Sequence, residues 1–252
     1  MATSEETFEI VAVGAHPDDL EITCGGTLAK LASQSYRVAL IDLTTGEPTP
    51  RGSVETRQKE AEAASAILGV KARFQLDLPN RELFDSLPNR YALATLLRKL
   101  KPEILIGAFG RTPAASPDHY QAQLLIEAAR FYSQLSKWDD RFDNTPPHRI
   151  VHLVYAPFPF DAEVRQFPGS FTVDISETME RKLEAIRCYQ SQFDEARFAK
   201  IKHTITGLSC AAGSKCGFNH GEVFHLPVPV GSNDLAATVR GGKGTPAPVK
   251  LN

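Results

Sequence analysis

The chain predicts a single α/β domain of Rossmann-like design, a doubly wound, mostly parallel sheet with helices on both faces. Three observations carry that expectation. Short β-branched and apolar runs alternate with longer segments of helical period over residues 8–136. The run Glu103 to Phe109 (EILIGAF) is apolar almost throughout, as a strand covered on both faces must be. The length, 252 residues with 42 % apolar side chains, suits one large core.

The first strand is expected over 8–14, where Ile10, Val11 and Val13 favour extended backbone, followed by a helix over 24–35 in which Gly25 and Gly26 permit close packing. A strand over 37–43 precedes a helix over 54–69, whose Ala61, Ala64, Ile67 and Leu68 form one apolar stripe and whose Gly69 is a stop signal. A strand over 72–77, a helix over 88–100, the strand 103–109 and a helix over 118–136 complete the regular alternation. Beyond Asp139 a polar, Pro-containing stretch leads to an apolar run, Ile150 to Tyr155, then to a strand near Phe171 to Val173. A helix over 176–190 follows, with Ser176 as its cap and Glu177 and Glu180 at the positive end of its dipole. The segment FNHGEVF reads as a turn at Gly221 and Glu222 or a solvated loop. The domain is expected over 1–229, with a mobile, Gly- and Pro-rich tail over 230–252.

A formal net charge of −2 and a pI near 6.4 supply no basic excess to neutralise phosphates, which argues against nucleic acid. No apolar run approaches the ~20 residues of a membrane span, and MATSEETFE lacks the charged and apolar regions of a signal peptide. A cytoplasmic protein is the expectation. The four cysteines, Cys24, Cys188, Cys210 and Cys216, form no C-x-x-C pair, and a reducing compartment argues against a bridge between Cys210 and Cys216.

The unusual residues stand after three of the strands. HPDDLE follows the first, TTGEPTPRGS the second, and GRTPAASPDH the fourth. Ligands collect outside the carboxyl ends of the strands in such a sheet, so these segments are expected to converge. His16 and Asp19 can reach one metal ion, with Asp18 between them as a base for a bound water, and His119 is the natural third ligand for a site that keeps one position open. A lone histidine at a strand end is more often a satisfied core or surface residue. The coincidence of His-x-x-Asp at one strand end and Asp-His at another brings the metal reading to even terms. His152, in an apolar strand, reads as a core histidine, and His148 as a loop residue. Glu47 and Arg51 flank Pro48 and Pro50. On its own chemistry Arg51 is more often a solvated loop arginine than a clamp for an anion.

These segments are recognisable. AHPDDLEITCGGTLAKL resembles the opening motif of the PIG-L/LmbE family of zinc-dependent N-acetylglucosaminyl deacetylases. DLTTGEPTPRGSVETRQKEAEAASAILGV, SPDHYQA, KLEAIRCYQSQF and HGEVF are similar, in order and spacing, to its bacillithiol-biosynthesis branch, over roughly residues 8 to 225. The resemblance implies a Rossmann-like fold and zinc on His16, Asp19 and His119, with iron(II) an alternative for such a ligand set. It also implies Asp18 as general base, a catalytic part for Asp118, and a substrate-bordering Arg51, which reverses the order of readings for Arg51; Glu47, on the same loop, is a further substrate-binding candidate. The expected substrate is a small amino-sugar conjugate such as N-acetylglucosaminyl-malate, hydrolysed at its linear amide, and the expected assembly is a homo-oligomer. One departure stands out. The family's His-Pro-Asp-His reads Ser116-Pro117-Asp118-His119 here, so the first histidine, an oxyanion or leaving-group partner in relatives, is replaced; Arg111 and His220 are candidate substitutes.

Two rival functions follow. A dinucleotide-binding protein has Asp42 in place for a ribose, but GAHPDD lacks the glycines that admit a pyrophosphate. A zinc-binding sugar-conjugate sensor without turnover has Ser116 in its favour and Asp18, a base with no other purpose, against it.

Overall fold

The computed structural model describes residues 6–113, 115–160, 169–229 and 231. Five parallel strands, β1 (Ile10–Gly14), β2 (Val38–Thr44), β3 (Ala72–Leu78), β4 (Ile104–Phe109) and β5 (His152–Pro157), are joined by β6 (Ser170–Asp174) and β7 (Gly221–His225) in the order β3-β2-β1-β4-β5-β7-β6. β7 runs antiparallel to both β5 and β6. The order reverses at β1, so a crevice opens between the carboxyl ends of β1 and β4, where doubly wound sheets take their ligands.

β1 is buried along its whole length. Its alternation sends Val11 and Val13 to one face, against Leu93, Leu97, Leu125 and Ile126 of α3 (Leu87–Leu100) and α4 (Asp118–Ser133). Ile10 and Ala12 face the other way, onto Leu28 of α1 (Asp19–Ser33), Ala64 and Leu68 of α2 (Val54–Leu68) and Ala185 of α5 (Met179–Arg187). A third cluster, Ile22, Phe158, Ile175, Met179, Leu183 and Ile205, joins α1 and α5 to α6 (Glu195–Ser214). No helix among the described residues is long and apolar enough to cross a membrane. The expected tail over 230–252 lies, Gly231 apart, outside the described residues.

The regular half matches the expected alternation, including the stop at Gly69, whose φ of 75° a glycine adopts without strain. Three expectations need correction, and α6 goes beyond what the periodicity indicates. α1 begins at Asp19 instead of residue 24, and Cys24, the expected start, is where its backbone leaves helical geometry (φ −140°, ψ 17°). The first turn carries Asp19 and Glu21, which look like solvated residues in sequence but are buried. α6, with Thr204, Thr206 and Gly207 in its middle, has little helical propensity and buries only Ile205, Ser209 and Gly213, so it leaves no clear stripe. HGEVF is neither turn nor loop but β7: Gly221 is there because a Cβ would lie 2.4 Å from Thr172 Cγ2 on the neighbouring strand. Ser176 does not cap α5. Its N–H and hydroxyl both donate to Asp174 Oδ1 (2.9 and 2.6 Å), and the helix starts three residues later, after Thr178.

α1 is held at its break by β7. The Glu222 carboxylate accepts the backbone N–H groups of Gly26 (2.9 Å) and Thr27 (2.7 Å) and the ammonium of Lys182 (2.5 Å), so an acid from a distant strand caps the second half of the kinked helix. Gly26 is tightly enclosed as expected, since a Cβ there would lie 2.8 Å from Ile175 Cδ1. All four cysteines are free.

Candidate metal centre

The β1–α1 turn and the N-terminus of α4 bring the expected ligands together. One donor atom from each of His16, Asp19 and His119 lies within 4.8 Å of the others. His16 Nδ1 is 3.4 Å from Asp19 Oδ2, and His119 Nε2 is 3.4 Å from Asp19 Oδ1. Ligands at ~2.0–2.2 Å around a tetrahedral centre stand about 3.3–3.6 Å apart; each imidazole stands at such a distance from one oxygen of Asp19, and the three side chains are close enough together to hold a divalent cation. Three protein donors of this kind leave a fourth position for water or substrate, and suit zinc or iron(II).

Each imidazole is oriented by its other nitrogen. His16 Nε2 is 3.1 Å from Asp118 Oδ2, and His119 Nδ1 is 2.8 Å from Thr112 Oγ1, whose hydroxyl donates in turn to the Ser116 carbonyl (3.3 Å). With a cation bound, protons on those outer nitrogens would leave the inner ones free to ligate it, the usual support for histidine ligands. Asp118 also accepts the Arg81 N–H at 2.6 Å, from a residue at φ 66°. The Phe158 ring packs against His119, ring centres 4.5 Å apart and planes tilted by 32°.

The charges are concentrated and dry. Burial lowers the His16 imidazole, but the Asp19 carboxylate and the hydrogen bonds of Asp118 and Asp19 outweigh it and raise the ring to about 10. Burial pushes Asp18 up to about 7, with Arg57 opposing and Asp19 adding to the rise. Asp19 goes the other way: burial is overcome by His119 and His16, which hold it below the ordinary carboxylate range. Asp118 is likewise lowered, its hydrogen bonds from His16 and the Arg81 N–H prevailing over burial.

Asp18 sits between two donors in a left-handed backbone conformation, φ 108°, that side chains other than glycine rarely adopt. A residue overlooked in the sequence reaches it. Arg57, on α2 and 2 % exposed, places Nη1 3.5 Å from Asp18 Oδ2 and donates through Nη2 to the Pro17 carbonyl. Its only signal was an arginine among the charges of an amphipathic helix.

The remaining expected residues lie further out. Glu47 turns back on its own loop, its carboxylate accepting the Thr49 N–H (2.5 Å) and hydroxyl (2.8 Å). Arg51 pairs at 2.5 Å with Asp194, the cap of α6, and both are more than 40 % exposed. Ser116 Oγ accepts the Asp118 N–H at 3.3 Å, a local contact just before α4, whose N-cap is Pro117. Arg111 lies over the Tyr120 ring, 4.7 Å from its centre, and His220 Nδ1 meets Cys210 Sγ at 3.5 Å. His148 bonds the Pro102 carbonyl at 2.8 Å, and His152 is half-buried, 3.9 Å from Glu103, instead of enclosed in the core. Asp42 is buried and doubly bonded to Arg73 (2.5 and 2.8 Å), so it offers nothing to a ribose.

Residues 11–130 match the model of the PIG-L family, described as GlcNAc-PI de-N-acetylase. The chain is 33 % identical to diacetylchitobiose deacetylase of Thermococcus kodakarensis over 227 residues, 85 % of this chain and 81 % of that protein. It is 28 % identical to 4-oxalmesaconate hydratase of Pseudomonas putida over 198 residues, 72 % of this chain and 73 % of that one. The crystal structure of the conserved protein TT1542 from Thermus thermophilus superposes with a TM-score of 0.78 at 31 % identity, covering 89 % of this chain and 96 % of the other. A likeness that runs through most of both chains, in sequence and in backbone, decides the matter of descent: this chain belongs to the PIG-L family of deacetylases.

Proposed function

We propose that this protein hydrolyses the acetamide of an N-acetylated amino sugar, releasing acetate and the free amine, with a divalent cation held by His16, Asp19 and His119. One observation carries the reading: His16, Asp19 and His119 converge at the carboxyl edge of the sheet, and Asp18, the residue before Asp19, is largely buried in a strained backbone conformation and interacts electrostatically with Asp19 and His16. A cation bound there supplies Lewis acidity and brings the pKa of water down toward about 7. Asp18 takes the proton of the water that attacks the acetyl carbon. It returns that proton to the nitrogen as the C–N bond breaks. Asp118 and Thr112 keep the two imidazoles turned inward throughout, which is a supporting part for Asp118 in the reaction. The surroundings push Asp18 up, in the direction a general base near neutral pH requires.

The substrate we propose is a glucosamine glycoside whose aglycone meets the Thr44–Ser53 loop, N-acetylglucosaminyl-malate being the conjugate with a carboxylate for Arg51. Arg51 holds Asp194 in the structure, so an anionic aglycone exchanges one carboxylate for another. Ser116 favours a second reading, a zinc-binding sugar-conjugate protein without turnover, because its hydroxyl accepts the Asp118 N–H and cannot supply an imidazolium.

Acetate release from N-acetylglucosaminyl-malate, diacetylchitobiose and N-acetylglucosamine, with metal measured on the same sample, tests the proposal. Turnover with about one equivalent of zinc or iron, lost in Asp18→Asn while the metal stays, is the expected result. Stoichiometric metal with no acetate from any of the three overturns it in favour of the binding protein. Hydration of 4-oxalmesaconate without acetate release instead assigns the hydratase chemistry.

A further inference from the structure

Arg57 has too few partners for a guanidinium so deeply placed. It is 2 % exposed, and its Nε and Nη1 have no hydrogen-bond partner among the described residues. Buried polar groups are nearly always satisfied, and one that is not calls for an account beyond stability. Its contacts all point one way. Nη2 donates to the Pro17 carbonyl, and Nη1 is 3.5 Å from Asp18 Oδ2. From behind, the Tyr189 ring lies 5.4 Å from the guanidinium carbon, and the Tyr189 hydroxyl is fixed at 2.9 Å on Glu21, itself held by Arg73 at 2.6 Å. Room for the guanidinium is made at Gly46, where a Cβ would lie 2.8 Å from Nη2 and 3.1 Å from Pro17 Cδ.

Asp18 needs such a support. Its φ of 108° is not sustained by a side-chain cap of α1. Strained backbone persists only where its surroundings over-determine it. Arg57 grips the residue before it by the carbonyl and Asp18 itself by the carboxylate. At 3.5 Å the second contact sets the carboxylate's direction without filling a lone pair through a short hydrogen bond.

We infer that Arg57 is a positioning residue for Asp18: it clamps the Pro17–Asp18 segment so that the carboxylate faces the reacting centre. This rests on the proposed deacetylase reaction and extends it to a side chain on another helix. A displacement of a reacting group by about 1 Å costs on the order of 10² in rate, which sets the expected loss.

The experiment is a double-mutant cycle on the metal-loaded enzyme, with Arg57→Met, Asp18→Asn and both together. Arg57→Met is expected to lower kcat about 10²-fold with KM within about threefold and metal content unchanged, and to do nothing further in the Asp18→Asn background, because residues acting as a unit are not additive. A second readout needs no turnover: in the metal-free chain, backbone hydrogen exchange over residues 15–22 is expected to speed up at least about tenfold in Arg57→Met and less in Arg57→Lys. Multiplying losses in the cycle, a loss confined to KM, or unchanged exchange each overturns the inference. If Arg57→Met does not fold, Arg57→Lys, which keeps a buried cation, carries both measurements by the same criteria. A parent enzyme that releases no acetate sinks the deacetylase reading, while the exchange measurement still decides whether Arg57 holds the segment.

Discussion

Removing the Glu222 carboxylate isolates what holds the kinked helix under the metal centre. Glu222→Ala deletes the acceptor for two backbone N–H groups, Gly26 and Thr27, and strands the Lys182 ammonium, whose side chain is 1 % exposed. Taking one partner from a buried pair costs about 3–5 kcal/mol, chiefly the penalty of the charge left behind. For a chain of this size that is a fall in Tm of roughly 6–20 °C, at about 2–4 °C per kcal/mol. Lys182→Met leaves Glu222 its two backbone donors, so its cost is expected to be smaller, about 1–3 kcal/mol. Urea unfolding followed by circular dichroism at 25 °C measures both, with an unchanged m-value showing that the unfolded state is the same. A Glu222→Ala cost below about 1 kcal/mol, or a Lys182→Met cost exceeding it, refutes the cap across strands, since the pair would then be a local contact of little weight.

Three further outcomes are expected. Asp118→Asn, which weakens the partner of His16 Nε2, should loosen zinc about 10–100-fold in a chelator competition, and Thr112→Val should act in the same direction through His119. Ser116→Ala should cost about 0.5–1 kcal/mol in urea unfolding and leave kcat within about threefold, because the hydroxyl accepts a single local N–H, that of Asp118. Gly26→Ala should destabilise by about 1–3 kcal/mol in the same assay, its methyl being forced onto Ile175.

The clustering of His16, Asp19 and His119 was legible because chemistry rare in loops recurs at two strand ends. A His-Pro-Asp-Asp segment after β1 and an Asp-His pair after β4 need only the topology of a doubly wound sheet to meet, and the periodicity of residues 8–136 supplies that topology. The partners of those ligands were not legible. Thr112 and Arg57 are ordinary residues in sequence, and their roles come from distances that only packing defines. The C-terminal third was misread for a related reason. α6 buries only Ile205, Ser209 and Gly213 and so shows no clear stripe, and Gly221 and Glu222 look like a turn although each answers to a neighbour far along the chain. The Asp18–Asp19 turn was placed outside a helix because buried acids imitate solvated ones.

The position of β7 bears on the order in which the molecule can be completed. Residues 221–225 enter the sheet between β5 and β6, both made earlier, so the edge of the sheet stays open until nearly the whole described chain has left the ribosome. Every metal donor lies before residue 120, whereas the carboxylate that braces the helix carrying Asp19 arrives about a hundred residues later. A nascent chain can thus hold all three donors before the brace exists. The long-range contact that braces the helix carrying Asp19 is therefore among the last to be paired.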